Sequence, residues 1–205
     1  MELTRKHLGC LRDGKWLNDE VINFEMQLLH EKIKESGLKI HVWVTYFYAK
    51  LSEGNRYQYD LVKRWSNDLN ILEMDRIVVP IHLKFHWVLA VIDLKNKKFQ
   101  YFDSLMKYSN DEAHQILDNL ARWLTDEAKT KYAALPISPH SWQKLSFTDC
   151  PTQSNGYDCG VFLIFFAWTY GIGLVPTMIN NQLDAPRIRR KIIKDLIKYK
   201  ERPKE

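Results

Sequence analysis

The sequence has none of the features that mark a membrane protein, a secreted disulfide-rich domain or a zinc module. It contains no run of about 18 apolar residues, so it predicts no membrane span. The N-terminus, Met-Glu-Leu-Thr-Arg-Lys-His, lacks the apolar segment of a secretory signal. Three cysteines occur, at positions 10, 150 and 159, without a CxxC pair. So small and odd a number is typical of a reducing compartment.

Internal repeats, low-complexity tracts and linkers are also missing, so we expect residues 1–205 to form one domain. With 45% hydrophobic and 27% charged residues, the composition is that of an ordinary globular protein with a core. The net charge of +5 permits an acidic partner, either protein or nucleic acid, and does not choose between them.

The hydrophobic pattern predicts an α+β fold. We expect helices over 4–11, 18–37, 59–65 and 112–131, and two more starting near 159 and 184. We expect strands over 40–44, 76–83, 86–93, 99–103 and 142–148. Residues 45–51 fit either a strand or a helix, while 135–139 and 176–183 read as irregular. Pro80 makes its strand edge-like or bulged in part. In the last helix we expect an apolar stripe of Ile188, Ile192, Ile193, Leu196 and Ile197, with seven Lys and Arg on the remaining surface.

Cys159 lies between a loop of turn-forming residues, 151–158, and an apolar run that continues to Trp168. We interpret the run as a buried helix because Asp158 is a good N-cap, although a buried strand also fits. A cysteine in the first helical position meets free backbone N–H groups and positive potential, which stabilise a thiolate. The same pattern also fits a structural cysteine in the core.

A predicted hairpin brings two polar residues to one place. Strands 86–93 and 99–103 flank a turn at 95–98. If the turn centres near 94–96, His86 and Asp103 lie opposite each other or within two positions on one face, ~5–8 Å apart. A one-residue bulge would separate them onto opposite faces. His86 could then act as the base for Cys159, with Asp103 orienting its imidazole.

Gln153 completes a candidate acyl-transfer site, since its amide and the backbone N–H of Cys159 could bind an oxyanion. Each residue also has a structural interpretation, as a core histidine, a turn aspartate or a loop glutamine. His82 and His86 suggest a metal only weakly, because no third ligand follows at a suitable spacing. The basic C-terminal helix could bind phosphate, although a solvated face is the simpler interpretation.

The ordered motifs resemble those of the Ulp/SENP family, the cysteine proteases of SUMO and related ubiquitin-like proteins. The resemblance runs from about Thr4 to Leu196. Its motifs are Trp16–Asn23, Phe47–Leu51, Val62–Trp65, Val79–Trp87, Asp103–Ser104 and Gln153–Gly160. It implies a papain-like fold in which the order is His, Asp, Cys, with a central mixed or antiparallel sheet flanked by helices.

The resemblance assigns the same four roles that the chemistry suggests. His86 would be the base, Asp103 its orienting group, Cys159 the nucleophile and Gln153 a donor in the oxyanion hole. Two departures from the family pattern occur. Thr152 stands where members usually have a first glutamine, which leaves the second, Gln153, in place. Ala185 stands where members often have methionine before the proline of the last helix.

The resemblance also implies four substrate-binding residues. Trp16 and Trp87 would clamp the C-terminal Gly-Gly of the substrate, because only residues without side chains can lie flat between two indoles. Asp19 resembles a position that pairs with a basic residue on the ubiquitin-like body. Phe47 resembles one that packs against that body.

The implied function is a SUMO-specific isopeptidase that also processes SUMO precursors. Its partners would be SUMO or SUMO-conjugated proteins, with no cofactor, no metal and no requirement for nucleic acid or membrane. The resemblance further implies a monomer in the nucleus or nucleo-cytoplasm. Alternatives are a protease for another modifier such as NEDD8, an acetyltransferase of related fold, and an inactive SUMO-docking domain.

Overall fold

The computed structural model describes residues 4–106, 110–132, 137–147, 150–173 and 183–201. Its centre is one five-stranded sheet in the order β1-β2-β3-β4-β5. The strands are β1 Ile40–Val42, β2 Arg76–Leu83, β3 His86–Asp93, β4 Lys98–Phe102 and β5 Gln143–Phe147. The two inner pairings are antiparallel and the two outer ones are parallel, so the sheet is mixed. This arrangement confirms the predicted α+β class.

Helices cover both faces of the sheet. They are α1 Arg5–Cys10, α2 Asp19–Glu35, α3 Tyr46–Leu51, α4 Asn110–Lys131, α5 Cys159–Phe166 and α6 Ala185–Lys200. A π-helical turn, Ala167–Gly171, continues α5. Short 3₁₀ turns occur at Glu53–Asn55, Tyr59–Leu61, Ile71–Glu73 and Pro139–Ser141. Among the described residues, no helix is long and apolar enough to cross a membrane.

The sheet separates two cores because side chains alternate along each strand. On one face, β-strand residues such as Leu89 and Phe102 pack with α2, α5 and α6. On the other face, residues such as Ala90 and Tyr101 pack with α3 and α4. Every residue of β3 is buried as a result, which explains its uninterrupted apolar sequence.

Several local signals act as predicted. Asn18 caps α2 by accepting a 3.0 Å hydrogen bond from the Val21 N–H. Gly37 ends the same helix at a φ of 68°, a conformation that favours glycine. Pro80 lies in β2 beyond the end of β1, whose last partner is Val78. The strand is therefore locally an edge at Pro80, which needs no ladder donor on that side.

Other boundaries differ from the sequence prediction. The ambiguous segment 45–51 forms α3 from residue 46, while the helix expected over 59–65 is only a 3₁₀ turn followed by further turns. The strand expected over 40–44 ends at Val42. Parts of the predictions for 135–139, 142–148 and 176–183 fall outside the described residues, namely 135–136, 148 and 176–182.

Candidate active site

The sheet brings His86 and Asp103 together at one of its ends. His86 begins β3 and Asp103 follows β4, and antiparallel neighbours start and finish at the same end. Because Leu89 pairs with Phe102, Asp103 comes opposite Val88, two residues from His86 and on the same face. The His86 Nε2 lies 2.6 Å from the Asp103 Oδ1. The hairpin geometry expected from the sequence is therefore present without a bulge.

The Asp103 oxygen that faces the imidazole is also fixed by a backbone N–H group. Asp103 is only 4% exposed, and its Oδ1 also accepts a 2.9 Å hydrogen bond from the Leu105 N–H. Since Nε2 of His86 is directed at this carboxylate, Nδ1 is the ring nitrogen that can serve the nucleophile. The carboxylate thus sets both the orientation and the tautomer of the ring.

Electrostatics favour a charged imidazole. Burial alone would lower the pKa of His86, but hydrogen bonds to Asp103 and Cys159 outweigh it. The negative charges of the same two partners act in the same direction, and together they raise the pKa of His86 to about 9. An imidazolium at neutral pH is the partner that a thiolate requires.

Cys159 is the first residue of α5, as the sequence predicted, and it is 2% exposed. Asp158 occupies the N-cap position of α5, as expected, but its side chain does not act as the cap. Its side chain makes no capping hydrogen bond, and its backbone, at φ −93° and ψ 2°, is not in the extended conformation of capping residues. Instead its carboxylate accepts from Arg189 at 2.6 Å and from the Asn155 amide at 2.8 Å.

The loop before the nucleophile is braced by side chains. The Asn155 Oδ1 accepts 3.0 Å hydrogen bonds from the N–H groups of Tyr157 and Asp158. The Gln153 amide donates to the Asn155 carbonyl at 2.6 Å and accepts from the Ser104 hydroxyl at 2.6 Å. The loop therefore holds Gln153 in a defined orientation rather than leaving it in solvent.

A cleft of about 460 Å³ opens beside Cys159, and both predicted indoles line it. Trp16 is 53% exposed, whereas Trp87 is 5% exposed. Each ring is fixed through its N–H, since Trp16 donates to the Gly156 carbonyl at 2.7 Å and Trp87 to the Leu17 carbonyl at 3.2 Å. Two indole rings with fixed orientations therefore line the cleft next to the thiol.

Gly160 allows the nucleophile to sit close to the Trp16 segment. A Cβ at position 160 would lie 2.9 Å from the Cβ of Leu17 and 3.4 Å from a methyl of Ile22. A real Cβ does not tolerate the first contact, so only glycine lets α5 approach at this distance. The Cys-Gly sequence is explained by this packing.

The two residues predicted to contact the body of the substrate, Asp19 and Phe47, differ in their exposure. Asp19 is partly exposed at the start of α2, where its carboxylate accepts a hydrogen bond from the Tyr46 hydroxyl. That hydrogen bond, with burial as a smaller cause, raises the pKa of Tyr46. Phe47 is 0% exposed and stacks on Trp43 with ring centroids 4.4 Å apart. The prediction that Phe47 packs against a substrate is wrong, because the ring belongs to the core beneath α3.

The sequence did not indicate several contacts near the site. His82 stacks on Trp87 at 4.2 Å, and Phe85 lies 6.2 Å from Trp16 at the mouth of the cleft. Ser104 contacts Gln153, and Arg189 contacts Asp158. The position of Ser104 next to Asp103 is the one signal that could have indicated its role. Within the described residues, no cluster of three or more potential metal ligands occurs.

The buried face of α6 differs from the apolar stripe expected from the sequence, because it includes Arg189. The buried residues of α6 are Ala185, Arg189, Ile192 and Leu196, whereas Ile197 is 44% exposed. An arginine therefore lies within the inward stripe, where its guanidinium meets Asp158 and four backbone carbonyls. The general rule that Lys and Arg mark the solvent side fails here because the charge is fully paired.

Comparisons with known proteins point to one family. Residues 15–203 match the family model described as the Ulp1 protease family, C-terminal catalytic domain. The chain is 36% identical to ubiquitin-like-specific protease 1A of Arabidopsis thaliana, over 98% of this chain and 40% of that protein. It is 37% identical to human sentrin-specific protease 2, over 96% of this chain and 32% of that protein. It thus spans less than half the length of these two relatives.

Solved structures give the same result at the level of the fold. The SUMO protease Ulp1 with its catalytic cysteine oxidized to a sulfinic acid superposes with a TM-score of 0.77 and 32% identity. That match covers 97% of this chain and 84% of the other. The C-terminal Ulp1 protease domain in complex with Smt3, the yeast ortholog of SUMO, matches with a TM-score of 0.74 and 30% identity. It covers 95% of this chain and 84% of that one.

Proposed function

Because the chain belongs to the Ulp1 protease family, as its C-terminal catalytic domain, we propose that it is a cysteine protease that cleaves after the C-terminal Gly-Gly of SUMO. The observation that carries the proposal is the His86–Asp103 contact of 2.6 Å beside Cys159 at a helix start. This arrangement provides the nucleophile Cys159, the base His86 and the group that orients the base, Asp103.

In the proposed mechanism, the thiol proton of Cys159 resides on His86 and the thiolate attacks the carbonyl carbon of the terminal glycine. The raised pKa of His86 favours this ion pair. The imidazolium then donates its proton to the departing amine as the C–N bond breaks. Water, activated by the neutral imidazole, hydrolyses the thioester and regenerates the thiol.

Two donors are proposed to stabilise the negative charge on the carbonyl oxygen. One is the backbone N–H of Cys159, which lies in the first turn of α5 where N–H groups lack partners within the helix. The other is the side-chain amide of Gln153. One of its two N–H groups goes to the Asn155 carbonyl, so the second can serve the oxyanion.

The shape of the cleft supports a substrate that ends in glycine residues. Trp16 and Trp87 both line it, and both rings are held by hydrogen bonds to backbone carbonyls. A chain with side chains at these positions would have to displace the rings and break those bonds. Two glycines can pass between them without that cost.

SUMO is proposed over other modifiers on the basis of the relatives. Human sentrin-specific protease 2 and the Ulp1 domain bound to Smt3 are similar along nearly the whole chain. We propose that Asp19, presented beside Tyr46 at the edge of the cleft, pairs with a basic residue on the SUMO body. SUMO conjugates and SUMO precursors would be alternative substrates of this site.

A SUMO protein with a C-terminal electrophile tests the proposal directly. Incubation should give a covalent adduct on Cys159, visible as a mass increase of the chain, and Cys159→Ala should give none. Turnover of a SUMO–lysine isopeptide conjugate should likewise depend on Cys159. Absence of both adduct and turnover in the unmodified chain would refute protease activity on SUMO.

Parallel reactions separate the alternatives. A NEDD8 electrophile that reacts while the SUMO electrophile does not would transfer the specificity to that modifier. Transfer of label from radiolabelled acetyl-CoA would support an acetyltransferase, whereas a protease should take up none. SUMO binding without turnover, unchanged by Cys159→Ala, would indicate an inactive docking domain.

The proposal also covers the domain organisation, oligomeric state and cellular location of the enzyme. We propose that residues 1–205 act as one catalytic domain, as a monomer, without a cofactor, metal, nucleic acid or membrane. Cys10, Cys150 and Cys159 are all free thiols, which supports a reducing compartment, and we propose that this compartment is the nucleus or nucleo-cytoplasm.

A further inference from the structure

Ser104 connects the Asp103 turn to the loop that carries Gln153. It is 1% exposed, and its hydroxyl donates a 2.6 Å hydrogen bond to the Gln153 Oε1. Its backbone carbonyl accepts a 2.9 Å hydrogen bond from the Gln153 N–H. Two bonds thus join segments that lie 49 residues apart in the chain.

The partners of the Gln153 amide determine which way it faces. Its Nε2 lies 2.6 Å from the Asn155 carbonyl, and a carbonyl can only accept. Its Oε1 must therefore face Ser104, which supplies a hydroxyl donor. Gln153 is 9% exposed, so without that hydroxyl the Oε1 would be a buried acceptor with no donor. The amide would then lose one of the two side-chain hydrogen bonds that fix its plane, and only the bond from Nε2 to the Asn155 carbonyl would still restrain it.

We propose that Ser104 is a positioning residue for the oxyanion hole, because its hydroxyl orients the Gln153 amide so that the second N–H faces the reacting carbonyl. The proposal rests on the proposed protease function, in which Gln153 is an oxyanion donor. Ser104 itself is buried and does not line the cleft beside Cys159.

The turn that contains Ser104 also orients the proposed base, His86. Leu105 donates its N–H to the Asp103 Oδ1, which is the oxygen that faces His86. Three consecutive residues, 103–105, therefore orient the imidazole on one side and the oxyanion donor on the other. A shift of this turn would move both groups together, whereas loss of the Ser104 hydroxyl alone should affect only the amide.

A double-mutant cycle distinguishes this role from simple support of the fold. The variants are Ser104→Ala, Gln153→Ala and the double substitution, with Ser141→Ala in an exposed turn as the control. We expect Ser104→Ala to lower kcat for SUMO cleavage about 10- to 100-fold with little change in KM, since one oxyanion donor is commonly worth about 10²–10³-fold. In the Gln153→Ala background the same substitution should have less than a twofold effect.

Alkylation of Cys159 by iodoacetamide provides a second readout, because this reaction forms no oxyanion. Its rate and pH dependence should be the same in Ser104→Ala as in the unmodified chain. An equal loss of kcat in both Gln153 backgrounds, an unchanged kcat in Ser104→Ala, or a parallel fall in alkylation would overturn the proposal. The first and last of these would place the effect on Asp103 and His86 instead.

A measurement without turnover separates this proposal from the proposed function. In ¹⁵N NMR spectra, the Gln153 side-chain amide should give dispersed resonances with slow hydrogen exchange, and Ser104→Ala should abolish both properties. If the unmodified chain cleaves no SUMO substrate, the proposed function fails, yet these resonances still report on the positioning. Unchanged Gln153 resonances in Ser104→Ala would overturn the positioning itself.

Discussion

The indole N–H of Trp16 donates a 2.7 Å hydrogen bond to the carbonyl of Gly156, 140 residues further along the chain. Gly156 lies three residues before Cys159, so one proposed wall of the substrate cleft is attached directly to the loop of the nucleophile. The second proposed wall, Trp87, is attached to the Trp16 segment through the Leu17 carbonyl. The two indoles and the thiol therefore form one connected unit, and movement of any part affects the others.

Trp16→Phe should test the value of that attachment, because it keeps an aromatic ring and removes the N–H. We expect kcat/KM for SUMO cleavage to fall about 2- to 10-fold, the effect of about 0.5–1.5 kcal/mol for one hydrogen bond. Stability should change by no more than about 0.5 kcal/mol, since Trp16 is 53% exposed. Steady-state kinetics and thermal unfolding measure the two quantities.

The control for this prediction is Trp65→Phe, a half-exposed indole that does not line the cleft. It should leave kcat/KM unchanged. A large fall in melting temperature for Trp16→Phe, with unchanged kinetics of the folded fraction, would show that the ring supports the fold rather than the substrate.

Asp103→Asn should change both the rate and its pH dependence. The charge of Asp103 contributes to the pKa of about 9 for His86, so kcat/KM should fall as the pH rises through about 9 in the unmodified chain. Without that charge the imidazolium loses its proton at lower pH, and the falling limb should move toward the ordinary histidine value of about 6.5. Turnover should also drop, by up to about 10⁴-fold where orientation of the base is lost.

Kinetics from pH 6 to pH 10 check this prediction, with SUMO affinity measured separately by titration against a Cys159→Ala background. Affinity should stay near normal because Asp103 is buried away from the cleft surface. A falling limb at the same pH in both proteins would contradict the assigned influence of Asp103 on His86.

Arg189→Met should destabilise the fold strongly. The guanidinium donates to Asp158 at 2.6 Å and to the Lys15 carbonyl at 2.7 Å, which places it between the residues adjoining Cys159 and Trp16. Removal leaves the Asp158 carboxylate buried without its cationic partner, a change that costs about 3–5 kcal/mol. Denaturant unfolding should show this loss, and activity should fall with it.

The neighbouring Arg190→Met is the matched control, because Arg190 is exposed on the same helix. It should change stability by no more than about 0.5 kcal/mol. A double variant, Asp158→Asn with Arg189→Met, should be less destabilised than the sum of the two single variants, because no unpaired charge remains. Strict additivity would argue against the ion pair.

Glu25→Gln should remove a pH dependence of stability. Glu25 is 0% exposed in α2, and burial raises its pKa to about 7, with a smaller contribution from Asp195 and against the lowering effects of Lys191 and Trp168. An acid whose pKa is higher in the folded state binds more protons there than when unfolded. The folded state therefore gains most from protonated Glu25 below about pH 4.5, and loses that gain as the pH rises through about 7.

The melting temperature measured from pH 4.5 to pH 8 should consequently decline more steeply in the unmodified chain than in Glu25→Gln. Glutamine keeps an oxygen that can accept from the Trp168 indole, which now lies 3.3 Å from the carboxylate. Glu35→Gln, at the exposed end of the same helix, should leave the slope unaltered. Identical slopes for the unmodified chain and Glu25→Gln would refute the buried acid as the cause.

The chemistry of the candidate site could be predicted from the sequence because it depends on local rules. Strand alternation and turn length place His86 and Asp103 on one face, and turn residues followed by an apolar run place Cys159 at a helix start. The order of the motifs carried the resemblance to the family. Each of these signals is read within about twenty residues of chain, where backbone geometry limits the possibilities.

Tertiary packing decided the rest. Whether Phe47 or Tyr46 faces outward depends on how α3 lies against Trp43 and the sheet, and the inward direction of Arg189 depends on carbonyls contributed by the N-terminal segment. The Trp16–Gly156 bond likewise joins segments that no local pattern connects. Residue types and local periodicity therefore determined which groups could react. Only the folded chain decided which side chains hold them, because such contacts arise from the packing of elements far apart in sequence.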